Sequence, residues 1–136
     1  YRDFTGDPDA VLAEYGFGRA HHRVVHFVSR NPGMSVAELL EILRITKQSL
    51  SRVLGQLVER GFIVQKKGTR DRRQRLLYLT ETGTDLAASL AEPQKRRVAR
   101  AYREAGAEAV EGYRKVLMGL IGDGSREAIV RSFRRR

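Results

Sequence analysis

The chain has no cysteine. That absence removes a disulfide scaffold, a cysteine-ligated zinc site and a thiol switch together. There is also no run near the roughly 18 to 20 apolar residues that a membrane span requires. The N-terminal stretch is polar, with Asp3, Asp7 and Asp9, and is unlike a secretory signal. Internal repeats and low-complexity linkers are missing. So are a nucleophile elbow, a P-loop and a dinucleotide fingerprint. The expectation is a cytoplasmic protein that is not an enzyme, with no cofactor and no membrane partner. Its 136 residues, 41% of them hydrophobic, suffice for one domain with a real core, or a compact domain with dimerising arms.

Acidic residues are scarce in one segment only. Residues 1 to 42 hold 4 basic and 6 acidic groups, net −2. Residues 43 to 75 hold 10 basic and 2 acidic groups, net +8, and residues 76 to 136 hold 12 and 8, net +4. The net charge of +10 is therefore concentrated, as a face for a polyanion would be. A merely soluble basic surface has no need of that concentration. The sharpest stretch is KKGTRDRRQRLLYLT, residues 66 to 80, where a lone Asp71 stands among six Lys and Arg before an apolar run resumes.

Residues 9 to 30 read as one helix with Gly16 and Gly18 weakening its middle; Asn31-Pro32-Gly33 stops it. Ser35-Val36-Ala37-Glu38 is a capping box, followed by a helical stripe at 36, 39, 40 and 43. Arg44-Ile45 is a tight connection, and Thr46 caps a second helix whose stripe is Leu50, Val53, Leu54, Leu57 and Val58. Gly61 is placed to end it in the left-handed region, with Phe62 packing back on Leu57. Two short strands follow, Phe62 to Lys66 and Leu76 to Leu79, joined by the basic loop. A helix-turn-helix followed by a hairpin is a winged helix, and the basic stretch is its wing. From Thr80, placed as an N-cap, a long helical region begins; Pro93 either kinks it or opens a new first turn. Gly106 is a break, Val110, Tyr113, Leu117 and Leu120 form another stripe, and Gly122-Asp123-Gly124, Ser125 and residues 126 to 134 read as turn, cap and last short helix.

The stretch MSVAELLEILRITKQSLSRVLGQLVERGFIVQKKGTRDRRQRLLYLTETG, residues 34 to 83, resembles the MarR family of transcriptional regulators. The resemblance is carried by Gly61-Phe62, Asp71-Arg72-Arg73 and Leu79-Thr80-Glu81-Thr82-Gly83, in that order after the helix-turn-helix. It implies a mainly α fold with a small β-hairpin wing, in which residues 34–83 bind DNA while residues 9–30 and 84–136 build an intertwined homodimer. It further implies a pseudo-palindromic DNA target and small organic effectors, often aromatic acids. The Arg134-Arg135-Arg136 tail is not part of the motif.

In the second helix of the motif, the face opposite the core stripe carries Gln48, Ser51, Arg52 and Gly55, flanked by Thr46, Lys47 and Ser49. These residue types suit a major groove. Gln bonds adenine and Arg bonds guanine with two contacts each, worth about 1 to 3 kcal/mol of discrimination. The competing reading is a solvated polar face. In the wing, Asp71 is placed to hold Arg73 by paired hydrogen bonds and aim it into the minor groove, with Arg70, Arg72 and Arg75 on phosphates. Lys66 and Lys67 go to phosphates or solvent. The plainer alternative is an ordinary charged turn. His21, His22 and His26 invite a metal reading, since His22 and His26 are one turn apart, but no third ligand stands near and packing histidines are commoner. The family layout instead puts some of them, with Tyr15, beside an effector pocket. The expectation is a sequence-specific, ligand-responsive repressor. Its rivals are a winged helix that binds nucleic acid without sequence preference, and a basic module that docks an acidic protein.

Overall fold

The computed structural model describes residues 2–122, so the expected cap at Ser125, the last helix over 126–134 and the arginine tail lie outside the described residues. The chain divides into two compact units, Tyr1–Lys95 and Arg96–Arg136.

Where the sequence suggests one helix over residues 9 to 30, there are two, α1 (Arg2–Glu14) and α2 (Arg19–Arg30). Gly16 is the reason. It sits at φ +68°, in the left-handed region that penalises a side chain. Its N–H donates to the Ala13 carbonyl (3.0 Å), and the Phe17 N–H donates to the Leu12 carbonyl (2.9 Å). This pair of bonds is a Schellman stop. The same device ends the later helix at Gly61, φ +77°, where Gly61 N–H reaches Val58 (3.0 Å) and Phe62 N–H reaches Leu57 (2.9 Å). The two Gly-Phe stops meet. Phe17 and Phe62 pack edge to face with centroids 5.6 Å apart, and Tyr15 stands 5.3 Å from Phe62.

The helix-turn-helix is α3 (Val36–Leu43) and α4 (Lys47–Glu59). Ser35 Oγ accepts from the Glu38 amide (3.2 Å), and Glu38 Oε2 accepts from the Ser35 amide (2.7 Å) and hydroxyl (2.9 Å). Those donated bonds hold the Glu38 carboxyl below its usual range. Thr46 caps α4, its hydroxyl accepting from the Ser49 amide (3.1 Å). Between the helices Arg44 adopts φ +50°, the one left-handed non-glycine residue among those described. That turn directs Ile45 against the core, while Arg23 braces it from α2 by donating to the Leu43 carbonyl (3.1 Å).

The sheet has three antiparallel strands in the order β1 (Met34–Ser35), β3 (Arg75–Leu79), β2 (Ile63–Lys67). The hairpin strands are as expected within one residue at each end. Strand β1 was not foreseen. Two residues carry no period, and only their pairing, Met34 with Leu77 and Ser35 with Leu76, makes them a strand. In the hairpin Ile63 faces Leu79 and Lys67 faces Arg75, so the base lies at the core and the tip is basic.

The core lies where α2, α3, α4 and the hairpin base converge. Val24, Val25 and Val28 of α2 join Leu39, Leu50, Val53, Leu57, Ile63 and Leu77, all at most 2% exposed. Each such side chain contributes about 1.5 to 3 kcal/mol relative to exposure. Helix α5 (Glu81–Ala105) adds Leu86 and Leu90. It runs unbroken through Pro93, so proline does not open a new helix there. In the second unit Gly106, at φ +82°, separates α5 from α6 (Ala107–Gly119). Helix α6 buries no residue.

Candidate nucleic-acid interface

The four core residues of α4, Leu50, Val53, Leu54 and Leu57, fix which way the helix faces. Lys47, Gln48, Ser51, Arg52 and Gly55 are consequently exposed. Thr46 and Ser49 are exposed but engaged with each other, Thr46 Oγ1 donating to Ser49 Oγ at 2.8 Å. They are cap residues first. The solvent face of the first half of α4 is thus two flexible hydrogen-bonding cations, an amide and a serine hydroxyl.

Strand β2, which leads into the wing, packs on α4. Lys67, Arg70, Arg72, Arg73 and Arg75 are all exposed. The tip is closed by backbone bonds from Gly68 to Gln74 (3.1 Å) and from Gln74 to Asp71 (3.1 Å). Gly68 is required there, since a Cβ would lie 2.5 Å from the Asp71 carbonyl oxygen. Asp71 does something other than the paired grip suggested by the sequence. Its Oδ1 accepts from the Arg73 backbone amide at 2.9 Å, an Asx turn. The Arg73 guanidinium approaches the same oxygen only through Nε, at 3.6 Å, and is 95% exposed. A contact of that kind is worth about 0 to 1 kcal/mol. Asp71 therefore shapes the backbone that carries Arg73 more than it grips the guanidinium. Arg75 turns back on the wing, donating to the Arg72 carbonyl (3.3 Å), and Lys66 Nζ lies 5.0 Å above the Tyr78 ring.

The three histidines part company. His21 is buried: Nδ1 accepts from the Gly18 amide (3.1 Å), so the neutral ring carries its proton on Nε2 and donates to Gln56 Oε1 of α4 (2.8 Å). Phe17 stacks on it at 4.4 Å. The sequence reading did not single out this link, because neither Gly18 nor Gln56 carries a signal at that separation. His22 is half-buried, and desolvation, then the neighbouring His26, push it below its ordinary value of 6.5, with Asp9 opposing. His26 is exposed, edge-on to Phe27 at 5.3 Å. Tyr15 has its ring contacts with Phe17 and Phe62 instead, and its carbonyl accepts from Arg60 (3.2 Å). No helix among the described residues is long and apolar enough to cross a membrane.

A capped helix-turn-helix, an exposed polar reading face and a basic antiparallel hairpin against the same helix define a winged-helix DNA-binding protein. Comparison with known proteins agrees and narrows the class. The profile of the MarR family matches residues 15–74. The chain is 48% identical over 121 residues to the HTH-type transcriptional regulator PetP of Rhodobacter capsulatus, covering 89% of this chain and 73% of that one. It is 28% identical over 98 residues to a putative transcriptional regulatory protein for the hcr operon of Thauera aromatica, covering 72% and 57%. The crystal structure of MarR superposes with a TM-score of 0.71 at 22% identity, covering 94% of this chain and 84% of that chain. Streptococcus pneumoniae FabT, solved in complex with DNA, gives 0.70 at 19% identity over 76% and 73%. The chain belongs to the MarR family: it is a DNA-binding transcriptional regulator and not an enzyme.

Proposed function

We propose that the chain is a cytoplasmic, ligand-responsive repressor that binds a pseudo-palindromic operator as a homodimer. The observation that carries this reading is the exposed polar first half of α4 together with an exposed arginine wing whose strand β2 packs on the same helix. On this reading Gln48, Ser51 and Arg52 meet base edges in the major groove, with Thr46, Lys47 and Ser49 at its phosphates. Arg73 enters the minor groove, and Lys67, Arg70 and Arg72 neutralise the flanking backbone. Arg75, tied to Arg72, holds the wing's shape. Residues 9–30 and 84–136 supply the dimer, for which the bare apolar stripe of α6 speaks: Tyr113, Val116, Leu117 and Leu120 are 53%, 63%, 42% and 78% exposed. Two reading helices then sit about one helical turn apart, near 10 bp. An organic effector releases the DNA only as far as it prefers a dimer with wrongly spaced helices.

The test is selection of bound sequences from random duplex DNA, followed by affinities on the selected and a random duplex at matched salt. A palindromic consensus bound at least about a thousandfold tighter is expected. Equal affinities would replace the operator with nucleic-acid binding without sequence preference. Asp71→Ala then examines the wing. Charge alone says that affinity should rise, whereas loss of the Asx turn should lower specific affinity by up to about fivefold and leave random duplex level or tighter.

A further inference from the structure

The end of α4, the base of the wing and the start of α5 meet at one side chain, Thr80. Its hydroxyl donates to the Gly61 carbonyl at 2.6 Å, next to the Phe62 carbonyl at 3.3 Å. The same oxygen accepts from the Gly83 amide in the first turn of α5 (3.0 Å). The Thr80 amide donates to the Phe62 carbonyl (3.1 Å), and its carbonyl receives the Thr84 amide (2.9 Å). Gly61 and Phe62 are the two residues of the α4 stop, and one residue on, Ile63 opens the hairpin opposite Leu79. The fit is close. A Cβ on buried Gly83 would run into the Phe62 carbonyl oxygen, a backbone atom that cannot swing aside.

An ordinary N-cap hydroxyl satisfies an amide of its own helix. This one spans two elements, because its proton goes to the stop of another helix. The bond to Gly61 adds nothing to the α5 helix itself. What it does is forbid α5 from tilting at its first turn without dragging the last turn of α4 and the hairpin base along.

We propose that Thr80 is a positioning residue for DNA binding: its hydroxyl locks the reading helix, the wing and the first turn of α5 into one joint, so that a change in the direction of α5 moves both DNA-contacting elements together. The proposal rests on the operator reading for its DNA consequence but not for the joint itself.

The experiment compares Thr80→Val, which keeps the shape and removes the hydroxyl, with Thr80→Ser, which keeps the hydroxyl. Affinity is measured on the duplex selected by the unaltered protein and on random duplex, well below the melting temperature of every variant. Thr80→Val should weaken the selected duplex about tenfold, the size of one lost hydrogen bond expressed at the interface, and random duplex less than about twofold. Thr80→Ser should restore it. A lower melting temperature with unchanged affinity for the selected duplex would reduce Thr80 to a cap and overturn the proposal. Amide exchange gives a reading independent of any operator. In Thr80→Val, exchange should rise together at Phe62 and Thr80, at the Val64–Tyr78 pair and at Gly83 and Thr84. A rise confined to Gly83 and Thr84 would overturn the joint, even if the unaltered protein turned out to prefer no duplex sequence.

Discussion

Helices α4 and α6 are both 13 residues long, and both carry a stripe of large apolar side chains at helical spacing. In α4 the stripe is sealed: Leu50, Val53, Leu54 and Leu57 are at most 3% exposed. In α6 it is bare, with Val116 63% exposed and Leu120, the residue that caps its C-terminus, 78% exposed. Periodicity says that a helix has an apolar side to cover. It does not say whether the cover is the chain's own core or another surface. On the proposed operator reading, the difference also separates two jobs. Helix α4 spends its apolar side on being held still, which leaves its polar side steady enough to read DNA. Helix α6 leaves its apolar side available for association.

The largest effect that would test this contrast is on folding. Leu57→Ala should cost about 2 to 5 kcal/mol in denaturant unfolding, because it empties a filled core position. A cost below about 1 kcal/mol would mean that α4 is not the anchored helix described above. Leu120→Glu should weaken self-association at least tenfold in sedimentation, since a charge would enter an apolar contact, and should lower the unfolding midpoint only through the lost dimer, so that the drop depends on protein concentration. If the variant sediments as the parent does, the α6 stripe is not part of the dimer. Arg52→Ala removes a side chain from the outer face of α4. It should lose about 1 to 3 kcal/mol on the selected duplex with stability within about 0.5 kcal/mol of the parent. An equal loss on random duplex would make Arg52 a phosphate contact.

The smallest effect concerns α2, which packs on α4 and serves as a control. The folded His22 titrates below its unfolded counterpart, so the unfolded chain binds more protons as pH falls past about 6.5. Its contribution is complete above that pH and is lost as pH falls through the lower folded value. The denaturant midpoint should drop modestly from pH 7 to pH 5, and less in His22→Gln, while self-association through α6 keeps the same pH profile in both proteins. A parallel drop in both midpoints would assign the proton to another group.

Much of this fold is legible residue by residue, wherever one side chain or one glycine decides a local geometry. Ser35 with Glu38, Thr46, and Gly61 with Phe62 each announce a helix end through bonds made within five residues. The Gly16-Phe17 stop uses the same chemistry but is harder to read, because the apolar pattern resumes after it and bridges the break. Strand β1 exists only by virtue of a partner some forty residues away. The exposed polar face of α4 is predictable because it is the complement of the core stripe. The work of Asp71 was half legible: a carboxylate two residues before Arg73 is visible in the sequence, but whether it bonds the amide or the guanidinium depends on a turn that the sequence does not specify. Arg44 is the opposite case, a long side chain at φ +50° where glycine or asparagine is the usual occupant.

His21 has one more consequence. Both of its ring nitrogens are already committed, one to the Gly18 amide and one to Gln56. An imidazole in that position has no lone pair to offer an electrophile or a metal without opening the turn between α1 and α2, because the Gly18 amide holds Nδ1. Towards a histidine-selective acylating reagent the three neighbours should therefore form a series, with exposed His26 reacting first, half-buried His22 more slowly, and His21 only as fast as that turn unfolds, which makes its reactivity a clock for the opening of the Gly16-Phe17 stop.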